Sequence, residues 1–264
     1  MKFNKICFSL VFCVISCCIL NTSVYAATPY HCAMNDNATP WHFMIAPYAW
    51  IAWDKGDITV LNRKATIDMT PKDTKNALDS GLQLHLEANK NRWTFLLDTT
   101  YLELSDSSTG ALGTTTVNFK QVLVDFGEFY KFMSYPTDNA NSRIDFEGFF
   151  GGRYWYLKNK ISLPINWSDT RTKKWLDPVI GGRLLYYIRD SWVLSLNGNI
   201  GGFGLISNFT WQVKALAMFK FNRYIGIGVG FHALHVNYED GTRLTKFKLR
   251  KTTYGPMAGI VITF

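Results

Sequence analysis

The chain has 264 residues, a formal net charge of +8, 16% aromatic and only 18% charged side chains. Length alone fits one large or two small domains. Beyond the first 30 residues, however, no run reaches the roughly 18 consecutive apolar residues of a membrane helix, and no Lys/Arg tract points to nucleic acid. Apolar residues are spread thinly and evenly, as strands would spread them.

The N-terminus carries Lys2 and Lys5, an apolar core from Ile6 to Leu20, and small residues at Val24 and Ala26. This is the pattern of a secretory signal peptide over residues 1–26, cut after Ala26. A competing lipoprotein reading uses Val14, Ile15, Ser16 and Cys17 as a lipidation box, but it would leave a hydrophobic stretch on the mature chain. Cleavage after Ala26 removes Cys7, Cys13, Cys17 and Cys18 and leaves Cys32 alone, so no internal disulfide is expected. The mature chain keeps 26 basic against 20 acidic residues, a net of +6. That excess suits anionic headgroups or lipopolysaccharide, and equally suits solvated loops. Residues 27–39 read as a short polar lead-in in the periplasm.

From residue 40 onward period-2 alternation dominates and helical periodicity is absent. In the stretch 78–88 the residues Leu78, Ser80, Leu82, Leu84, Leu86 and Ala88 alternate with Asp79, Gly81, Gln83, His85 and Glu87. The pattern recurs, and ten strands are expected near 41–54, 75–88, 92–104, 115–131, 142–157, 175–189, 191–203, 209–221, 223–238 and 245–264. Soluble strands average about 5–6 residues, whereas a tilted membrane strand needs about 9–11. Connections at 89–91, 189–191 and 221–223 are tight, while those at 105–115 and 159–174 are long and polar, the layout of an outer-membrane barrel. Phe209 and Phe219 share a face ten residues apart, roughly 25 Å along the membrane normal for a tilted strand. Trp41 and Trp53 bracket the first strand in the same way, giving two aromatic girdles. Lipid offers no hydrogen bonds to a free strand edge, so the sheet must close. The fold expected is an all-β, closed, antiparallel up-and-down transmembrane barrel over residues 40–264, with ten strands, or eight or twelve if a hairpin merges or splits.

The cleavable signal, the alternating strands and the terminal "AGIVITF" resemble small, single-chain bacterial outer-membrane β-barrel proteins. The phrases "WLDPVIGGRLLYYIRDSW" and "NGNIGGFGLISNFTWQ" are similar to those of a family of uncharacterised outer-membrane proteins. This resemblance implies that the closing aromatic, Phe264, is read by the barrel-assembly machinery. It implies location and architecture but little about activity.

Strand phase places Gln83, His85, Glu87, Arg92, Asp98, Asp125, Arg143, Asp145, Glu147, Arg153, Arg183, Arg189, Lys214 and His232 in the lumen. A barrel of this size encloses little more than its own side chains, and mixed charges are tolerated there when paired. The expectation is therefore a neutralising network, with a hydrolase site or narrow channel as the functional rival. His232 and His235 fall on opposite faces and cannot share a metal. His232 with Asp98 or Asp177 is the one candidate acid/base pair. Glycines within strands, such as Gly226, Gly228 and Gly230, relieve crowding in a curved wall, and "GIGVG" lacks the helix and Lys-Ser/Thr of a phosphate loop. The sequons at Asn166 and Asn208 are chance in a bacterial protein. The sequence thus points to an outer-membrane barrel without catalytic residues, metal or cofactor, surface-exposed or forming a narrow small-solute pore. A barrel hydrolase acting on lipid or peptide is the alternative. Expected partners are outer-membrane lipid and lipopolysaccharide, with the protein working as a monomer.

Overall fold

The computed structural model describes residues 40–60, 63–110, 113–137, 141–163, 167–242 and 246–264. The expected signal peptide, the expected lead-in at 27–39, every cysteine and Asn166 lie outside the described residues.

The strands are β1 (His42–Trp50), β2 (Trp53–Val60), β3 (Arg63–Met69), β4 (Leu78–Lys90), β5 (Trp93–Gly110) and β6 (Gly113–Pro136). They continue with β7 (Arg143–Leu163), β8 (Trp167–Ile188), β9 (Trp192–Gly201), β10 (Phe209–Lys220), β11 (Ile225–Asp240) and β12 (Phe247–Thr263). One short helix, α1 (Pro71–Ala77), lies between β3 and β4. Each strand from β4 to β12 pairs antiparallel with the next, and β1 pairs with both β4 and β12, so ten strands close on themselves. The last residue completes the closure: Phe43 N donates to Phe264 O at 3.2 Å and Phe264 N to Phe43 O at 2.9 Å.

Register sets the tilt. Phe43 stands opposite Phe264 and Ala88, and the cross-strand path then runs through Phe95, Glu128, Phe150, Ile180, Ile200, Trp211 and His235. It returns to β12 at Thr252, twelve residues from Phe264. A stagger of twelve residues over ten strands tilts them by about 40°, so each step along this path climbs roughly 3 Å toward the side of the longer hairpins.

Two features depart from the sequence expectation. The first strand does not stop at residue 54. β12 pairs with β1 through Met257–Thr263 and with β2 through Phe247–Tyr254, so β1 and β2 form one long strand whose register does not shift across Ile51–Ala52, where Ile51 N donates to Pro256 O at 2.9 Å. There β4 parts from β1 beyond Pro47, and the Gln83 side chain accepts the Trp50 N–H at 2.6 Å. β2 then turns back into β3, and α1 starts on a capping box in which Thr70 and Asp73 bond each other's backbone N–H groups. Second, much of the stretches read as loops at 105–115 and 159–174 is strand: β5–β6 and β7–β8 stay paired to Gly110–Gly113 and Leu163–Trp167. Strand pairing does not need a membrane, and these Thr- and Ser-rich hairpins continue into water.

Outward side chains form an apolar band. Leu82, Phe126, Phe150, Ile180, Leu196, Val213, Val229 and Ile260 are all exposed on the outer wall. Trp41, Trp93, Trp192 and Phe264 edge the band at the short-turn end, and Trp41 stacks with Phe43 at 6.1 Å. Tyr101, Tyr156 and Phe209 edge the other end, where Trp53 stacks on Tyr254. No helix among the described residues is long and apolar enough to cross a membrane; the strands do the crossing.

Candidate functional site

Among the described residues, buried polar groups converge in the lumen, and alternation puts them there because every second residue of each strand points inward. At the short-turn end Asp145, 1% exposed, accepts from Ser134 and Arg143 and lies near Lys131. Arg143 stacks on Tyr187. The next layer is Arg183, which bridges Glu147 at 2.7 Å and Glu87, with its guanidinium 4.0 Å from the Phe129 ring centroid. His85 links this layer to the one above, Nε2 lying 3.0 Å from Glu87 and Nδ1 2.7 Å from Asp98. Asp98 also accepts from Lys214 Nζ at 2.9 Å and from Tyr48 Oη at 2.8 Å.

Above that sits Arg153, with no exposed surface. Its guanidinium donates to both carboxylate oxygens of Asp125, at 2.7 and 3.1 Å, and to Thr210, Asn199 and Gln212 at 2.8–3.0 Å. The fork geometry of arginine suits this many acceptors, and a buried charge needs them.

The outer half of the lumen is greasy. Trp155 stacks on Trp175 (5.5 Å) and Trp175 on Tyr238 (4.0 Å), with Leu123, Leu157, Leu234, Val236, Phe247 and Leu249 packed around them. The β9–β10 connection folds inward over this cluster, pinned by Asp177, which accepts from Ser207 N (2.9 Å), Ser207 Oγ (2.7 Å) and Trp175 Nε1 (3.0 Å). Gly202 at φ +81° makes the inward turn, where a side chain would be strained. Farther out, Lys251 meets Asp54 at 3.1 Å.

The structure brings together His85, Glu87, Asp98, Lys214, Arg183 and Glu147 in one chain of contacts, Arg153 with Asp125 in a second, and Arg143 with Asp145 in a third. Arg92 and Arg189 are not lumenal: both fall in tight turns, where strand alternation ends and no longer aims the side chain. His232 is buried, but neither ring nitrogen has a hydrogen-bond partner among the described residues, and the ring stacks on Trp50 at 3.9 Å. The proposed pairing of His232 with Asp98 or Asp177 is thereby corrected: the histidine held by Asp98 is His85, two strands away from β1's closing partner. Tyr48, Trp50, Asn199, Thr210 and the Lys251–Asp54 pair escaped the sequence reading. Their strands carry untidy alternation or neutral side chains, and the inward phase of β1 was the only available signal. Among the described residues no group of three His, Cys, Asp or Glu side chains could hold a metal.

The chain has a closed sheet, an apolar outer band and a packed interior. It is a transmembrane β-barrel. Neither protein-family models nor curated proteins match it. Among solved structures it is similar to Ail of Yersinia pestis, solved with the heparin analogue sucrose octasulfate, at 14% identity, TM-score 0.38, over 85% of this chain and 98% of that one. It is similar to Neisserial surface protein A at 12% identity, TM-score 0.34, over 84% and 97%. The translocator domain of autotransporter NalP from Neisseria meningitidis matches at 13% identity, TM-score 0.40, over 84% and 88%.

Proposed function

We propose that this is an integral, non-conducting barrel of the bacterial outer membrane whose role lies in the hairpins it presents outside. The observation that carries this is the occluded lumen: Arg153 and Trp155, 0% and 1% exposed, stand in successive layers across it. A small-solute path would have to break the Arg153–Asp125 pair and then displace the Trp155–Trp175–Tyr238 stack. Extended hairpins β2–β3, β5–β6, β7–β8 and β11–β12 rise from the opposite side to the short turns, the side that faces outward in barrels of this kind. The signal-like N-terminus supports export, with a mature chain starting at Ala27.

Planar bilayers test the reading. Refolded wild-type protein is expected to leave the baseline current unchanged, and steady unitary steps would overturn the closed-barrel reading. Location is tested by fractionation of cells of the native host: heat-modifiable protein in the outer-membrane fraction, with Ala27 at its N-terminus, is the expected result. Protein that stays soluble without detergent would refute it.

A further inference from the structure

Four lysines gather on the outer wall of β6, β7 and β8. Lys120 and Lys158 stand directly opposite each other, Tyr156 opposes Lys174, and Lys160 follows Lys158 on the same face. Trp155, Leu157 and Trp175 point into the lumen, so their alternates point out. Like charges directly opposed across a strand pair are destabilising. Lys120 has a carboxylate nearby, Glu103 at 3.4 Å, and lies over the Tyr101 ring. Lys158, Lys160 and Lys174 have no ion pair with any described residue. The contrast with other outer-rim lysines is direct: Lys248 meets Glu239 at 3.0 Å and Lys64 meets Asp57 at 3.1 Å.

Depth supplies the second observation. Tyr156 belongs to the aromatic edge of the apolar band, and such belts sit at headgroup level. One to two alternate residues farther along strands tilted by about 40° puts Lys158 and Lys160 roughly 5–10 Å beyond it, where lipid phosphates lie. We propose that this cluster binds the phosphate groups of a phosphorylated glycolipid of the outer leaflet, of the lipopolysaccharide class. The occupant is a membrane lipid because the lysines rise from the wall just above the apolar band, so a ligand bridging them also lays its acyl chains on Val122, Tyr154 and Leu176 below. The inference rests on the outer-membrane reading above.

Barrel refolded in detergent, shown to be folded by heat-modifiable migration, is mixed with bisphosphorylated lipid A and with the same lipid enzymatically dephosphorylated, and retention is read by native mass spectrometry. Wild type is expected to hold the bisphosphorylated form at least tenfold better. The triple variant Lys158→Ala/Lys160→Ala/Lys174→Ala is expected to lose that preference while staying folded, and Lys→Arg replacements to keep it. Equal retention by wild type and the triple Ala variant overturns the site. Displacement by millimolar inorganic phosphate overturns the lipid assignment in favour of a soluble anion. The outer-membrane reading fails separately, if the wild type in its native host does not fractionate with that membrane.

Discussion

Arg153 shows how a charge survives inside this barrel. Its five donated bonds leave Asp125 neutralised and three uncharged acceptors satisfied. Arg153→Ala strands a buried carboxylate and is expected to cost about 3–5 kcal/mol, read as a fall in the urea-unfolding midpoint of the folded barrel in lipid. Arg153→Met with Asp125→Leu removes both charges and should recover most of that loss; a double variant as unstable as the single one would show that the neutral acceptors dominate. His232 is the opposite case. With no partner for either nitrogen among the described residues and Trp50 stacked on its face, His232→Phe should change stability by less than ~1.5 kcal/mol, because an apolar ring of similar shape leaves no polar group behind. A larger loss would mean that the nitrogens are engaged. Glu128 is a third case: it pairs with Phe95 and Phe150 on the lipid-facing row and has no ion pair or hydrogen bond with a described residue. By the climb of about 3 Å per strand it lies roughly 12 Å above the Phe264 edge, inside the band. Glu128→Leu is expected to stabilise the barrel by about 1 kcal/mol in the same assay. A destabilised Glu128→Leu barrel would refute the idea that this carboxylate is a cost.

Among the elements, the outer hairpins are held by ion pairs rather than by lipid. Lys173 on β8 donates to Asp240 at the end of β11 at 2.7 Å, and Glu239 takes Lys246 and Lys248 at 2.9 and 3.0 Å. The Lys173 bond holds the Asp240 carboxyl below its ordinary value. A carboxyl with a lowered folded value contributes stability above its unfolded value, about 3.9, and loses it as pH falls through the folded one. The β8–β11 tether should therefore be intact at neutral pH and weaken only under strong acid. Side-chain NMR of Asp240 should give a midpoint below about 3.9, moving up in Lys173→Ala; an unmoved midpoint would refute the tether. The centres of the ten closing strands were legible from alternation, because a strand that separates lipid from a packed lumen must show it. Their outer ends were not. At Asp106 and Ser107, in a Ser/Thr-rich stretch, both faces meet water, so nothing in the composition distinguishes paired strand from loop, and pairing with the neighbouring strand decides. The continuation of β1 into β2 and the β2–β3 hairpin were hidden for the same reason.

For the whole molecule, the terminal residue has two functions that can be separated. Phe264 closes the sheet through its backbone pair with Phe43, and its ring lies at the short-turn edge, 59% exposed. Deleting Phe264 removes both, whereas Phe264→Ala removes only the ring. The expectation is that Phe264→Ala lowers the amount of folded barrel assembled in cells while leaving the unfolding midpoint of purified barrel nearly unchanged, and that the deletion lowers both. Equal assembly by wild type and Phe264→Ala would dismiss a sorting role for the ring. The sequence by itself determined the wall: which residues face lipid, where the girdles lie, that the sheet must close, and that charges of both signs fill the interior. These follow from a two-residue repeat, which is local. Which charge meets which was decided by tertiary structure, through the twelve-residue stagger that carries Asp98 to Lys214, Glu87 to Arg183 and His232 to Trp50. That stagger is a property of the closed ring, and no single strand encodes it.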